Sequence, residues 1–203
     1  MSKPTIADLE KLIREIIFPF YQIERTVPLR FAPRRYENDA EHSWSLALFA
    51  CALAPRVDPK LDVGKVAQFA IVHDLVEIHA GDTNNFAPEA ERATKDERER
   101  EALGKLRQEF KLFPWITETI ATYEKQASAE ARFVKSVDKL ILLLIDYFEE
   151  GQFYHEHKIT LEMWRAKMQK HREKAARHPG AFAYYDEIWN LLLANPQFFH
   201  QEK

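Results

Sequence analysis

A chain of 203 residues with 46% apolar and 30% charged side chains is long enough to bury one sizeable core. No stretch rich in Pro, Gly or Ser divides it, so one domain over residues 1–203 is expected rather than a disordered or fibrous chain. The formal net charge of −3 supplies no overall basic footprint, which argues against a polynucleotide or an anionic membrane as partner. Cys51 is the only cysteine, so an internal disulfide is excluded, and its apolar neighbours mark it as a small packed residue. The first residues lack the basic start and apolar core of a secretory signal, and the run Leu140 to Ile145 is too short to span a bilayer. A cytoplasmic location is the expectation.

Thr5 caps a first helix predicted to run to about Phe20, with Leu9, Leu12, Ile13, Ile16 and Ile17 at helical spacing. From Arg25 to Arg35 the chain carries Pro28, Pro33 and four arginines without a helical period, and reads as an irregular basic loop. Asn38 and Glu41 have the spacing of a capping box, opening a helix that runs to about Ala54 and stops at Pro55. Asp62 caps the next helix, which carries His73 and Asp74 and ends at Gly81.

Residues 88–110 predict a largely solvated charged helix, and 114–126 a short amphipathic one. The most apolar helix spans about Ala129 to Glu150, and Gly151 ends it. A charged helix over 160–177, a break at Pro179-Gly180 and an aromatic helix over 182–193 complete an all-α reading. That last helix either completes the core or forms a dimer face.

Within this frame a few polar residues stand where packing would choose apolar ones. Asp138 shares a helical face with Val134, Ile141 and Leu142. Burying a lone carboxylate costs several kcal/mol unless it is paired or metal-bound, so Asp138 is either a ligand or a solvated edge beside Lys135 and Lys139. His73 and Asp74 interrupt another apolar helix; adjacent positions differ by roughly 100°, so both reach one ion only over the seam between them. Glu77 lies one turn from His73 on the same face, and His42 opens the helix before.

Taken in order, His42, His73-Asp74 and Asp138 follow the H…HD…D signature, and the chain resembles the HD superfamily of metal-dependent phosphohydrolases. Residues 37–44, 73–83 and 130–140 are similar to blocks of the HD hydrolases related to bacterial 5′-deoxynucleotidases, and the resemblance spans about residues 25–150. It implies an HD-domain helical bundle with C-terminal helices over 160–194 packed on it, and one divalent metal ion held by His42, His73, Asp74 and Asp138. Imidazole and carboxylate ligands suit Mn, Co, Mg, Zn, Ni or Fe.

The implied reaction is attack of a metal-activated water on a small phosphomonoester, a (deoxy)nucleoside 5′-monophosphate. Glu77 matches a carboxylate that orients the water or acts as general acid and base, and Asp82 one near the sugar and the water. Arg25 resembles a phosphate-binding arginine, and the cluster of Arg25, Arg30, Arg34 and Arg35 offers guanidinium forks suited to phosphate, Arg35 included. The chain departs from the pattern by about two extra residues before His42 and by Thr26 in place of a sugar-contacting Trp. A homodimer is implied as well. The alternatives are hydrolysis of another phosphate linkage, such as a signalling-nucleotide pyrophosphate, and a non-catalytic metal or nucleotide-binding module. A di-iron oxygenase would need further ligands, for which His79 is the only candidate; His155 and His157 receive no role.

Overall fold

The computed structural model describes residues 3–28 and 35–202, and its architecture is helical apart from one small antiparallel ribbon. Thr5 and Asp8 form a reciprocal capping box on α1 (Ile6–Leu12). The helix passes through a wide π-helical turn, Ile13–Ile17, into α2 (Phe18–Phe20). Pro19 has no N–H to give to Glu15, and the wider turn absorbs the missing bond.

The segment predicted as irregular is bracketed by β1 (Glu24–Pro28) and β2 (Tyr36–Asn38), with Glu24 opposite Asn38, Pro28 opposite Tyr36 and an irregularity between them. Thr26, Val27 and Tyr36 favour extended backbone over helix, which period counting on so short a stretch did not register. Arg30 and Arg34 of the arginine cluster lie outside the described residues.

The Asn38–Glu41 capping box opens α3 (Asp39–Val57), which continues through Pro55 instead of stopping there. The proline costs one bond near the end, and the Asp58 N–H still reaches the Ala54 carbonyl at 2.9 Å, closing the last turn past the ring.

A single helix from Asp62 to Gly81 is the expectation that changes most. The structure has α4 (Val63–Val72), a tight turn over residues 73–76, and α5 (Glu77–Ala80), with Gly81 at φ +74°. Through the turn the bonds run i to i−3, Leu75 to Val72 at 3.1 Å and Glu77 to Asp74 at 2.8 Å. The His73 ring causes the tightening. Its Nδ1 donates to the Ala70 carbonyl at 2.9 Å, the acceptor that the Asp74 N–H would use in a continuous helix.

The charged stretch forms α6 (Glu89–Ala93) and α7 (Lys95–Glu109), followed by α8 (Pro114–Glu124) and the Ser128-capped α9 (Ala129–Phe148). Gly151, left-handed at φ +70°, starts an unpredicted short helix, α10 (Gln152–Glu156), before α11 (Leu161–Ala175). Pro179 does not break the chain. It is the first residue of α12 (Pro179–Ala194), where its missing N–H goes unused.

α9 divides its apolar residues between two core regions. Phe133, Val134, Val137 and Ile141 pack with Leu46, Ala50, Val66 and Phe69 of α3 and α4. Leu140 and Leu143 pack with Trp164, Met168, Tyr185 and Trp189 of α11 and α12. Each such fully buried side chain contributes about 1.5–3 kcal/mol relative to exposure. The C-terminal helix thus completes the core, with Tyr185, Trp189 and Leu192 buried. No helix of the described residues is long and apolar enough to cross a membrane.

Candidate metal centre

Three elements deliver the polar residues to one place: the first turn of α3 brings His42, the tight turn after α4 brings His73 and Asp74, and the middle of α9 brings Asp138. His42 Nε2 stands 3.2 Å from Asp138 Oδ1, and His73 Nε2 stands 2.9 Å from Asp74 Oδ2. Nitrogen and oxygen atoms of His42, His73 and Asp138 lie within 4.8 Å of one another, and oxygens of Asp39, Asp74 and Glu77 form a second such group beside them.

The donor set fits a divalent cation. Ligands bonded at about 2.1 Å to one octahedral ion are separated by about 3.0 Å along each edge, close to the two spacings just given. His73 Nδ1 donates to a backbone carbonyl, so Nε2 carries the lone pair, and this buried atom makes no hydrogen bond of its own. His42 is oriented similarly, with Nδ1 3.4 Å from Glu37 Oε2.

Electrostatics hold the carboxylates in different states. Burial opposes ionisation of Asp138, but Lys139, whose Nζ lies 2.7 Å from Oδ2, and the His42 bond keep it well below the usual carboxylate range. Asp74 is likewise held low against burial, by His73 and by Arg25. Burial and the neighbouring Asp74 charge push Asp39 up to about 6 despite Arg25. The same two causes raise Glu77 well above the usual range, and Lys95, with Nζ 3.1 Å from Oε1, does not offset them.

A cavity of about 570 Å³ opens over these groups and is lined by Arg25, His73, Asp74, Glu77, Asp82 and Asp138 among others. His42 is buried behind it. Asp82 follows Gly81 on the rim, and Arg98 braces that loop by donating to the Ala80 carbonyl and to Thr83 Oγ1. Arg25 reaches in from β1, its Nη1 3.1 Å from Asp39 Oδ1 and 3.0 Å from Asp74 Oδ2. Thr26 lines the cavity and accepts a bond from Asn84 Nδ2 at 2.6 Å.

Other named residues stand apart. Arg35 is turned to Glu41, with Nη1 2.8 Å from both carboxylate oxygens, and does not line the cavity. His79 Nε2 meets Glu109 Oε2 at 2.8 Å; His157 stacks on Phe153, and His155 is exposed. Sequence reasoning missed roles for Glu37, Asp39, Lys95 and Arg98. Glu37 lies in a three-residue strand and Asp39 opens α3, where an acid has an ordinary explanation in the helix dipole, so neither stood out. Lys95 and Arg98 lie in a stretch so charged that no single residue stood out.

A family model described as an HD domain matches residues 21–178. The chain is 31% identical over 116 residues to the human 5′-deoxynucleotidase HDDC2, covering 55% of this chain and 53% of that protein. It is 27% identical over 146 residues to the 5′-deoxynucleotidase hdd1 of Schizosaccharomyces pombe, covering 66% and 69%. The chain therefore spans about half the length of the human relative and about two thirds of the yeast one. Among solved structures, a protein from Magnetospirillum magnetotacticum MS-1, described as a predicted metal-dependent phosphohydrolase, is 31% identical with a TM-score of 0.78, covering 97% of this chain and 96% of its own. A conserved hypothetical protein from Pyrococcus furiosus shares the fold at 24% identity and a TM-score of 0.60, over 94% and 99%.

Proposed function

The chain belongs to the HD domain family, and from that premise we propose that it is a metal-dependent phosphohydrolase releasing phosphate from a (deoxy)nucleoside 5′-monophosphate. The observation that carries this reading is the facing of two imidazoles and two carboxylates at 2.9–3.2 Å beneath a cavity that Glu77, Asp82 and Arg25 share.

In this reading His42, His73, Asp74 and Asp138 hold one divalent ion. Such an ion supplies an acidified water and neutralises charge on the phosphoryl oxygens. Arg25 offers a fixed cationic fork to the phosphate, kept in place by Asp39 and Asp74. Glu77 orients the attacking water and moves its proton: Lys95 occupies Oε1, while the buried Oε2 has no protein partner and is left to accept. Asp82, on the rim, meets the sugar. A homodimer is part of the same reading, supported by Trp44 and Leu48, one turn apart on α3 and 68% and 59% exposed.

The test is phosphate release by the purified protein, loaded with Mn, Co or Mg in turn, from a panel of nucleoside monophosphates and sugar phosphates. Metal-dependent release from deoxynucleoside 5′-monophosphates is expected. Asp138→Ala is expected to lose both the metal, by elemental analysis, and turnover. Full metal content in that variant, or no release from any 5′-monophosphate, would overturn the reading.

A further inference from the structure

Beyond the metal centre, one wall of the cavity is cationic. α9 contributes Lys135 and Lys139 one turn apart, and α11, packed against it, contributes Lys167, Lys170 and Lys174, with Arg177 just past its end. Lys139 bonds Asp138, and Lys135 lies over the Tyr123 ring. Among the described residues, no carboxylate forms an ion pair with Lys167, Lys170, Lys174 or Arg177. Like charges brought this close raise each other's free energy unless an anion joins them. Burial first, and then the charges of Lys139, Lys135 and Lys95 against that of Asp96, push Lys174 down to about 8.

A second observation points to a ligand. His171, one residue after Lys170, lines the cavity and is 3% exposed. Its Nδ1 lies 2.9 Å from the Tyr185 hydroxyl, and its Nε2 is buried with no partner. When the Tyr185 hydroxyl donates to Nδ1, the ring proton sits on Nε2 as a donor without a protein partner. A buried donor without a partner is costly, and a phosphate oxygen would satisfy it.

We propose that this wall is a second phosphate subsite, and that the preferred nucleotide carries a second phosphate group held by Lys170, Lys174 and His171 while the first lies at the metal centre. The inference rests on the reading of the chain as a nucleotide phosphohydrolase. The reaction is unchanged: the water oxygen bonds to phosphorus, the bond from phosphorus to the leaving oxygen breaks, and that oxygen takes the proton. The phosphate on the lysine wall serves only for binding.

The test compares a deoxynucleoside 5′-monophosphate with its 5′-diphosphate and its 3′,5′-bisphosphate on the Mn-loaded protein. Binding is measured by calorimetry in a Glu77→Gln background at fixed salt, and kcat and KM on the native chain. One or both two-phosphate nucleotides are expected to bind about tenfold or more tightly than the monophosphate, and the better one locates the second group. Lys170→Ala with Lys174→Ala should erase the preference, Lys170→Arg with Lys174→Arg should keep it, and monophosphate kcat and KM should stay within about twofold. Both lysines are exposed, and a melting curve confirms that the variants fold. Equal affinity in the native chain, or a preference that survives the alanine pair, overturns the subsite. If the binding preference holds but no nucleotide is hydrolysed, the subsite stands and the proposed activity falls; if monophosphate is hydrolysed without any preference, only the subsite falls.

Discussion

Asp74 Oδ2 is 2.9 Å from one imidazole and 3.0 Å from one guanidinium, so in the proposed reading ion and phosphate share a brace at this carboxylate. Arg25 and Glu77 should therefore separate by kinetics. Arg25→Ala removes a charge-assisted contact of roughly 1.5–3 kcal/mol, and is expected to raise KM for a 5′-monophosphate by tenfold or more while lowering kcat less. Arg25→Lys should restore little, since Asp39 and Asp74 both hold the one nitrogen Nη1, and an ammonium so held has no second nitrogen to offer the phosphate. Glu77→Ala is expected to keep the metal and the KM but lose on the order of a hundredfold in kcat. Loss of metal from the Glu77 variant would instead make it a partner that only shapes the site. At this scale the ligand candidates were legible because His73, Asp74 and Asp138 interrupt apolar helices. The buried Asp39 was not, because an acid in the first turn of a capped helix has an ordinary explanation in the helix dipole.

The turn after α4 shows how an element serves the site. A continuous helix would hold His73 and Asp74 roughly 100° apart and the i to i−3 turn about 120° apart, so it is the reach of the two side chains over the seam that brings His73 Nε2 to 2.9 Å from Asp74 Oδ2. Periodicity alone could not show the turn, where the His73 ring takes the Ala70 carbonyl. Glycines mark two other element ends with different consequences. Gly151 and Gly81 both have positive φ, but a Cβ on Gly151 would lie 2.0 Å from the Phe198 carbonyl oxygen, whereas one on Gly81 would meet nothing within 4 Å. Gly81→Ala should cost about 1–3 kcal/mol from backbone strain alone, because φ +74° with ψ 149° is open essentially to glycine only. Gly151→Ala should cost about 1–3 kcal/mol more, because the C-terminal segment must also move. Denaturant unfolding of the two variants checks the order, and equal losses would show that the Phe198 segment yields freely.

Stability of the whole molecule should depend on pH through Asp146, which is buried beneath the cavity and accepts from the Tyr154 hydroxyl at 2.5 Å. Burial, partly countered by that bond, raises its carboxyl from an ordinary 3.8 to about 7. Between those values the folded chain binds more protons than the unfolded one, so stability falls as pH rises from about 4 to 7 and then levels off. The shift corresponds to at most about 4 kcal/mol. Asp146→Asn cannot ionise and keeps an acceptor for Tyr154, so it should match the native chain near pH 4 and exceed it increasingly up to pH 8; parallel melting profiles would contradict this. The amino-acid sequence by itself determined that the chain is helical, where most helices begin, and which histidines and aspartates are out of place in a core, because period, caps and apolar faces are local properties. Tertiary packing alone decided that the last helix fills the core instead of facing outward. It also decided that Arg25 enters the cleft while Arg35 turns to Glu41, and that lysines of α9 and α11 share one wall. Those outcomes depend on distances between residues far apart in the chain, which no local pattern encodes.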